Sequence, residues 1–257
     1  MKKRLLFSII SLAVCFALFL PSSAAGRCFN WYCAHVKEHQ RPTIGRELAF
    51  VEDLEAYFLD RDAENKVVYL TFDAGYENGN VEKILDILQQ EDVRAAFFIL
   101  GNLVTRNTEL VKRMVDEGHT VCNHTLRHKD MSQCDDESFL RELKEMEDLY
   151  LRYVGEKMAP YYRPPEGRFS RENIACAAEN GYRTIFWSFA YPDWDNEKQM
   201  AHEKAKSMIL DNVHNGEVML LHPTSATNAA ILGDVIRTLK EEGYRFGTLD
   251  ELTRAEQ

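Results

Sequence analysis

Four short segments place an ionisable residue just past a run of strand-forming residues: Thr71-Phe72-Asp73, Asn123-His124-Thr125-Leu126-Arg127-His128, Arg163-Pro164-Pro165 and Leu220-Leu221-His222. Their types define a set of chemical tasks. A carboxylate or an imidazole can take up or give a proton, a pair of imidazoles can hold a borderline metal such as zinc, and an arginine can fix the groups around it. In a barrel of alternating strands and helices the C-terminal strand ends share one face, and that face carries the chemistry. Residues spread from position 73 to position 222 would meet there. The pattern as a whole reads as an enzyme.

Taken singly, each residue has a plainer explanation. Asp73, before Ala74-Gly75-Tyr76, could simply cap the next helix, although Gly75 and Gly79 suggest a tight, exposed loop of the kind that carries function. His124 and His128 have the spacing that puts two imidazoles on one face of a helical turn. H-x-x-x-H alone is a weak signal, equally open to structural histidines; Asn123 and Thr125 beside them could hydrogen-bond behind the ligands. Arg163 lies on a segment that Pro164 and Pro165 keep extended and rigid, which favours a positioning role over a solvated one. Asp193-Trp194 reads either as an aromatic lid with an incidental carboxylate or as part of the same face. His222 ends the apolar run 218–221 and, alone, is explained by burial against a backbone partner.

The elements that must position these groups alternate from residue 66 onward. The run 67–72 is apolar nearly throughout, as a strand covered on both faces should be. Val81, Ile84, Leu85 and Leu88 follow at helical spacing. Further strands are expected at 95–100, 120–122, 161–163, 183–189, 218–221 and 244–246. The helices between them stop at Gly118, Gly155, Gly181 and Gly243, and Ser170 is placed to cap one. Repeated βα units with short connections imply a parallel sheet with right-handed crossovers. The expected fold is an α/β, irregular (β/α) barrel of about seven parallel strands over residues 66–257, with residues 26–65 as an N-terminal extension packed on it. No internal repeat or second domain stands out.

At 257 residues and 45% hydrophobic, the chain can bury one large core. The net charge of -10, from 41 acidic and 31 basic residues, and the lack of a basic stripe argue against nucleic-acid binding. Lys2, Lys3 and Arg4 precede an apolar run from Leu5 to Leu20 and then Ser23-Ala24-Ala25, the layout of a cleaved export signal over 1–25. An uncleaved anchor is the alternative, but the run is short of the roughly 20 residues a spanning helix needs. Cleavage after Ala25 removes three positive charges and no negative one, taking -10 to -13. The five remaining cysteines, Cys28, Cys33, Cys122, Cys134 and Cys176, are odd in number, so at least one stays unpaired or pairs between molecules. Cys28 and Cys33 could bridge or remain thiols.

Together, and in this order, the segments resemble the polysaccharide deacetylase family, whose catalytic unit is the NodB-type domain of carbohydrate esterases. The resemblance covers residues 66–250. Within the family, Trp31-Tyr32-Cys33, the stretches 42–47 and 69–79, Trp187-Ser188 leading to Asp193-Trp194, and Leu221-His222 followed by Asn228 look most like the delta-lactam-biosynthetic de-N-acetylases of spore-forming bacteria. The resemblance implies that Asp73 is the general base, that His124 and His128 bind a divalent metal ion, zinc being the first expectation, and that Arg163 holds the base in place. It implies His222 as the general acid, Asp193 as its acidic partner, and Trp194 and Leu220 as the slot for the acetyl methyl group. Most relatives carry a second aspartate after the base as a third metal ligand; here Ala74 stands there, and the delta-lactam group also lacks that aspartate, which implies weaker metal binding. Glu166 likewise replaces a more usual aromatic. The implied reaction is de-N-acetylation of N-acetylmuramic acid in peptidoglycan, leading to muramic δ-lactam in the spore cortex. The implied setting is a secreted monomer in the cell envelope, acting after a peptidoglycan amidase. N-Acetylglucosamine deacetylation of peptidoglycan or chitin, or an inactive glycan-binding relative, are the competing readings. Muramic acid adds a lactyl carboxylate, and Arg168, just past Arg163-Pro164-Pro165, is the candidate cation for it, unless it only pairs with Glu166.

Overall fold

The computed structural model describes residues 27–61, 64 and 66–254, so the expected export signal over 1–25 lies outside the described residues. Among those residues no helix is long and apolar enough to cross a membrane, and all five cysteines are unpaired thiols, Cys28 and Cys33 included. The chain runs through β1 (Cys28–Asn30), β2 (Ala56–Tyr57), β3 (Val67–Ala74), α1 (Val81–Gln90), β4 (Ala96–Ile99), α2 (Gly101–Arg106), α3 (Thr108–Asp116) and β5 (Thr120–Asn123). It continues through α4 (Asp136–Val154), β6 (Tyr161–Tyr162), β7 (Arg168–Ser170), α5 (Arg171–Glu179), β8 (Arg183–Ile185) and β9 (Phe189–Ala190). The last elements are α6 (His202–Asn212), β10 (Glu217–Leu221), α7 (Ala226–Glu241), β11 (Arg245–Phe246) and α8 (Leu249–Thr253).

Among the described residues nine strands form one sheet in the order β2-β8-β6-β5-β4-β3-β10-β9, with β11 also pairing β3. Its ladders are parallel, as repeated βα units require. Strand β3 is its centre, and the two-residue period of a strand decides what it does. Val68, Leu70, Phe72 and Ala74 pack outward in one apolar cluster with Ile84, Leu85 and Leu88 of α1. Val67 and Tyr69 point the other way, into an inner cluster with Phe98, Cys122, Ile185 and Val218. Each such burial stabilises the fold by about 1.5–3 kcal/mol. Thr71 and Asp73 continue the inward row to the strand end, where the apolar filling stops.

The expected barrel is present, with two more strands than the sequence suggested. One is β2, so the segment before residue 66 is part of the sheet and not only packed upon it; β1 also pairs antiparallel with β7. The other arises because the run expected as one strand over 183–189 splits: β8 lies beside β6 and β2, while β9 lies at the opposite end beside β10. The break has a physical cause. The Ile185 and Phe186 carbonyls, which an unbroken ladder would use, accept from the Arg163 side chain at 2.9 and 3.2 Å. The sheet thereby curls round until its ends approach, and Leu59, just past β2, bridges to Glu217 on β10.

Beneath that crossover lies a fully buried chain of Ser188, His214 and Glu217. His214 Nε2 is 2.8 Å from Ser188 Oγ, and its Nδ1 is 2.9 Å from the Asn212 carbonyl and 3.2 Å from Glu217 Oε2. A carbonyl only accepts, so Nδ1 carries the proton and Ser188 donates to Nε2. The trio has the residue types of a nucleophilic triad, but Ser188 and His214 are each 2% exposed and Glu217 is 0% exposed, leaving no room for a substrate. Burial pushes the Glu217 carboxyl well above the ordinary range and holds His214 neutral, down at about 4. A carboxyl raised on folding contributes stability below its unfolded pKa and loses it as pH rises towards the folded value. Glu217→Gln should therefore melt higher than the wild type at pH 8, by about 2–4 °C, with the gap closing towards pH 4. Thermal unfolding at the two pH values tests this, and a lower melting temperature for the variant at pH 8 refutes it.

Candidate active site

Asp73 is held rather than merely present. Its Oδ1 accepts from Arg163 Nη1 at 2.8 Å, and the guanidinium is fixed in turn by Thr71 Oγ1 at 3.0 Å and by the two carbonyls of the crossover. Arg163 is wholly buried, its guanidinium 4.1 Å from the Phe98 ring and 5.8 Å from the Trp187 ring. Burial works against the ionised Asp73, but the charge and hydrogen bond of Arg163 and the charge of His222 outweigh it and hold the carboxyl below its usual range.

His124 follows β5 directly. Its Nδ1 lies 2.9 Å from the Arg163 carbonyl, so Nδ1 is the donor and Nε2 presents a lone pair. Burial lowers the ring to about 4. The neutral Nε2 thus faces Asp73 Oδ2 at 3.5 Å, two acceptors side by side with no proton of their own to share. The His128 ring stands at 71° to that of His124, centroids 5.1 Å apart. The pair is not on a helix, as the spacing suggested. It lies in a loop whose Thr125 and His128 take left-handed φ values of 73° and 57°. Asn123 and Thr125 build that loop by accepting from the Thr125 and His128 amides at 2.8 and 2.9 Å, instead of supporting the rings. The buried Glu142 pins it further through the Arg127 amide and guanidinium.

On the other side, His222 stands past the end of β10. Its Nδ1 lies 2.7 Å from Asp193 Oδ1, and its amide donates to Asp193 Oδ2, also at 2.7 Å. Asn228 donates to the same carboxylate at 2.6 Å and is itself held by the Tyr191 hydroxyl. Burial alone would lower the imidazole, yet the charge and hydrogen bond of Asp193 raise it above the ordinary histidine value.

Asp73, His124, His128 and His222 open on one cleft of about 680 Å³, walled by Leu220, Trp194, Trp187, Tyr76 and Glu166 among others. Trp194 is 60% exposed, its ring 6.3 Å from that of His222. Arg163 and Asp193 stand behind the cleft as supports. Arg168 is not brought to it: its guanidinium lies 3.1 Å from Asp130 and 4.0 Å from Glu166. Among the described residues lining the cleft there is no lysine or arginine. The sequence reasoning overlooked Tyr76 and the wall role of Trp187. It also missed Thr71 as an acceptor for Arg163, which was readable, because Thr71 is two residues before Asp73 and so on the same strand face.

Two acceptors side by side at the end of a barrel, with a carboxylate-supported imidazole opposite, suit proton transfer at a polar carbonyl. Residues 60–185 match the polysaccharide deacetylase family. The chain is 36% identical over 245 residues to the peptidoglycan-N-acetylmuramic acid deacetylase PdaA of Bacillus subtilis, 93% of each chain. The structure of PdaA, a family 4 carbohydrate esterase, superposes with a TM-score of 0.85 at 35% identity, covering 90% of this chain and 98% of that one. A peptidoglycan-N-acetylglucosamine deacetylase of Bacillus cereus is 32% identical over 194 residues, 74% of this chain and 89% of that one. The chain belongs to the polysaccharide deacetylase family of carbohydrate esterases, and its class is that of the polysaccharide N-deacetylases.

Proposed function

We propose that the protein removes the acetyl group from N-acetylmuramic acid of peptidoglycan, opening the way to muramic δ-lactam. Facing Asp73–Arg163 and His222–Asp193 pairs on one cleft carry the hydrolytic part of this reading. Its muramic part rests on the similarity to PdaA along nearly the whole chain.

Asp73, ionised and locked by Arg163, takes the proton of the attacking water as it adds to the acetyl carbonyl. His222, kept protonated by Asp193, gives its proton to the nitrogen as the C–N bond breaks, so acetate and a free amine leave. Trp194 and Leu220 line the cleft where the acetyl methyl would pack. The facing acceptors His124 Nε2 and Asp73 Oδ2 suit a cation between them, so His124 and His128 would hold the divalent ion, zinc by its preference for imidazole. Such an ion would polarise the carbonyl and lower the pKa of water.

The ion would be weakly held, because among the described residues no group of three or more His, Cys, Asp or Glu is arranged to bind a metal. Ala74 explains part of this, since it lines the cleft next to Asp73 and carries no ligating atom. Mild chelation should remove the metal and the activity together, and added zinc should restore both. Ala74→Asp should tighten zinc binding by calorimetry, with a melting temperature that rises on adding the metal. Full activity after verified metal removal would refute the metal reading.

The glucosamine reading is favoured by a different observation. A muramic lactyl carboxylate wants a cation, yet the cleft wall offers Glu166 and no lysine or arginine, with Arg168 engaged by Asp130. Incubating peptide-free glycan strands and chitin oligomers with the enzyme, then identifying the deacetylated sugar, separates the two. Deacetylation at muramic acid with chitin a poor substrate supports the first. Equal rates on both glycans refute it. The proposed setting is the cell envelope or spore cortex, after an amidase has bared the lactyl carboxyl.

A further inference from the structure

Three carbonyls along one wall of the cleft accept hydrogen bonds from a single short stretch near the N-terminus. The Trp31 amide donates to the Gly167 carbonyl at 2.7 Å, Trp31 Nε1 donates to the Trp187 carbonyl at 2.8 Å, and His35 Nε2 lies 2.7 Å from the Ala190 carbonyl. The residues so held are the cleft wall: Trp187 and Ala190 line it themselves, and Glu166, next to Gly167, lines it too. Two ring stacks reinforce the bonds, Trp31 on Phe186 at 4.1 Å and His35 on Phe189 at 5.0 Å. The wall needs such support. Glu166 and Gly167 both sit at positive φ, 57° and 66°, a conformation a non-glycine residue keeps only when its surroundings impose it. The other part of the wall is the crossover between β8 and β9, whose Ile185 and Phe186 carbonyls are committed to Arg163. Its remaining carbonyls therefore need an outside donor.

We infer that residues 31–35 form a strap that sets the position of this wall, making Trp31 and His35 positioning residues for the hydrolysis. The strap acts on the same peptide run that holds Arg163, so it couples residues 31–35 to the orientation of Asp73. Its contribution is geometric: displacing a wall by a fraction of an ångström spoils how the polymer is presented to the base. A misplacement of about 1 Å can cost about 10²-fold in rate.

His35 gives the cleaner test because it is exposed and lies outside the proton-transfer groups. His35→Phe keeps the stack on Phe189 and removes the N–H, whereas His35→Gln keeps a donor able to reach the Ala190 carbonyl. The inference expects His35→Phe to lower kcat/KM on glycan strands by about 10-fold, His35→Gln to recover most of it, and both to melt close to the wild type. Amide hydrogen exchange should quicken in His35→Phe over residues 186–192 and not across the chain. Since the basic limb of the pH profile belongs to His222, it should not move. This rests on the deacetylase reading for its kinetic arm only; the exchange arm decides the strap even if no glycan is turned over. Wild-type activity and exchange in His35→Phe would overturn the inference, as would a loss matched by chain-wide exchange or one that Gln fails to rescue.

Discussion

Replacing Asp73 by asparagine is expected to remove nearly all turnover while leaving the protein folded. The substitution keeps an oxygen for the 2.8 Å bond from Arg163 Nη1. The new amide N–H₂ can point at the bare Nε2 of His124, which now faces Oδ2 at 3.5 Å. Packing and hydrogen bonding are thus conserved, and only the ability to take up a proton is lost, a change worth about 10²–10⁴-fold in rate. Acetate release should collapse while the melting temperature and binding of an unreactive glycan change little. Because Arg163 and His222 hold the carboxyl below its ordinary range despite burial, Asp73 is ionised throughout the neutral region and the wild-type activity there is not limited by it. Near wild-type acetate release from Asp73→Asn would remove Asp73 from the mechanism.

The second large effect belongs to His222 and has a sign. In the proposed reaction the group acts protonated, and Asp193 raises its pKa above the ordinary histidine value against the opposing effect of burial. Activity should hold through neutral pH and fall as pH rises through that raised value. His222→Ala should cost about 10²–10⁴-fold, because an amine leaves only with a proton. Asp193→Asn removes the charge but keeps an oxygen for Nδ1–H, so the basic limb should move to lower pH, with activity at pH 8 reduced more than at pH 6. The pH dependence of kcat/KM in wild type and Asp193→Asn measures this. An unmoved basic limb in Asp193→Asn would mean that Asp193 does not tune His222.

How much of this was readable beforehand follows from what each residue depends on. Asp73 and Thr71 were legible because strand parity is local, and Val81, Ile84, Leu85 and Leu88 because helical spacing is. The convergence of the four segments was legible from barrel topology alone. The split of 183–189 was not, since it depends on a guanidinium 22 and 23 residues away in sequence taking two carbonyls. Nor was the loop geometry of His124 and His128, where Thr125 and His128 adopt positive φ against their usual preference. Helix α6 carried little signal, with only Ala205, Ile209 and Asn212 buried on it. The idle Arg168 shows the same limit: its partner, Asp130, belongs to a loop no sequence spacing links to it.

The crossover from β8 to β9 also governs how the chain must assemble. Three residues, Phe186, Trp187 and Ser188, join strands that lie at opposite ends of the sheet order. Strands therefore cannot simply be added one after another at a growing edge. β9 has nothing to pair with until β10 arrives, and β10 must itself find β3 across roughly 150 residues of chain, a long loop whose closure is entropically slow. The Asp73–Arg163 pair is then expected among the last contacts to form, since the crossover carbonyls help hold that guanidinium. Substitutions in residues 186–188 are expected to lower the rate of refolding and the yield of native enzyme more than they lower the turnover of the molecules that do fold.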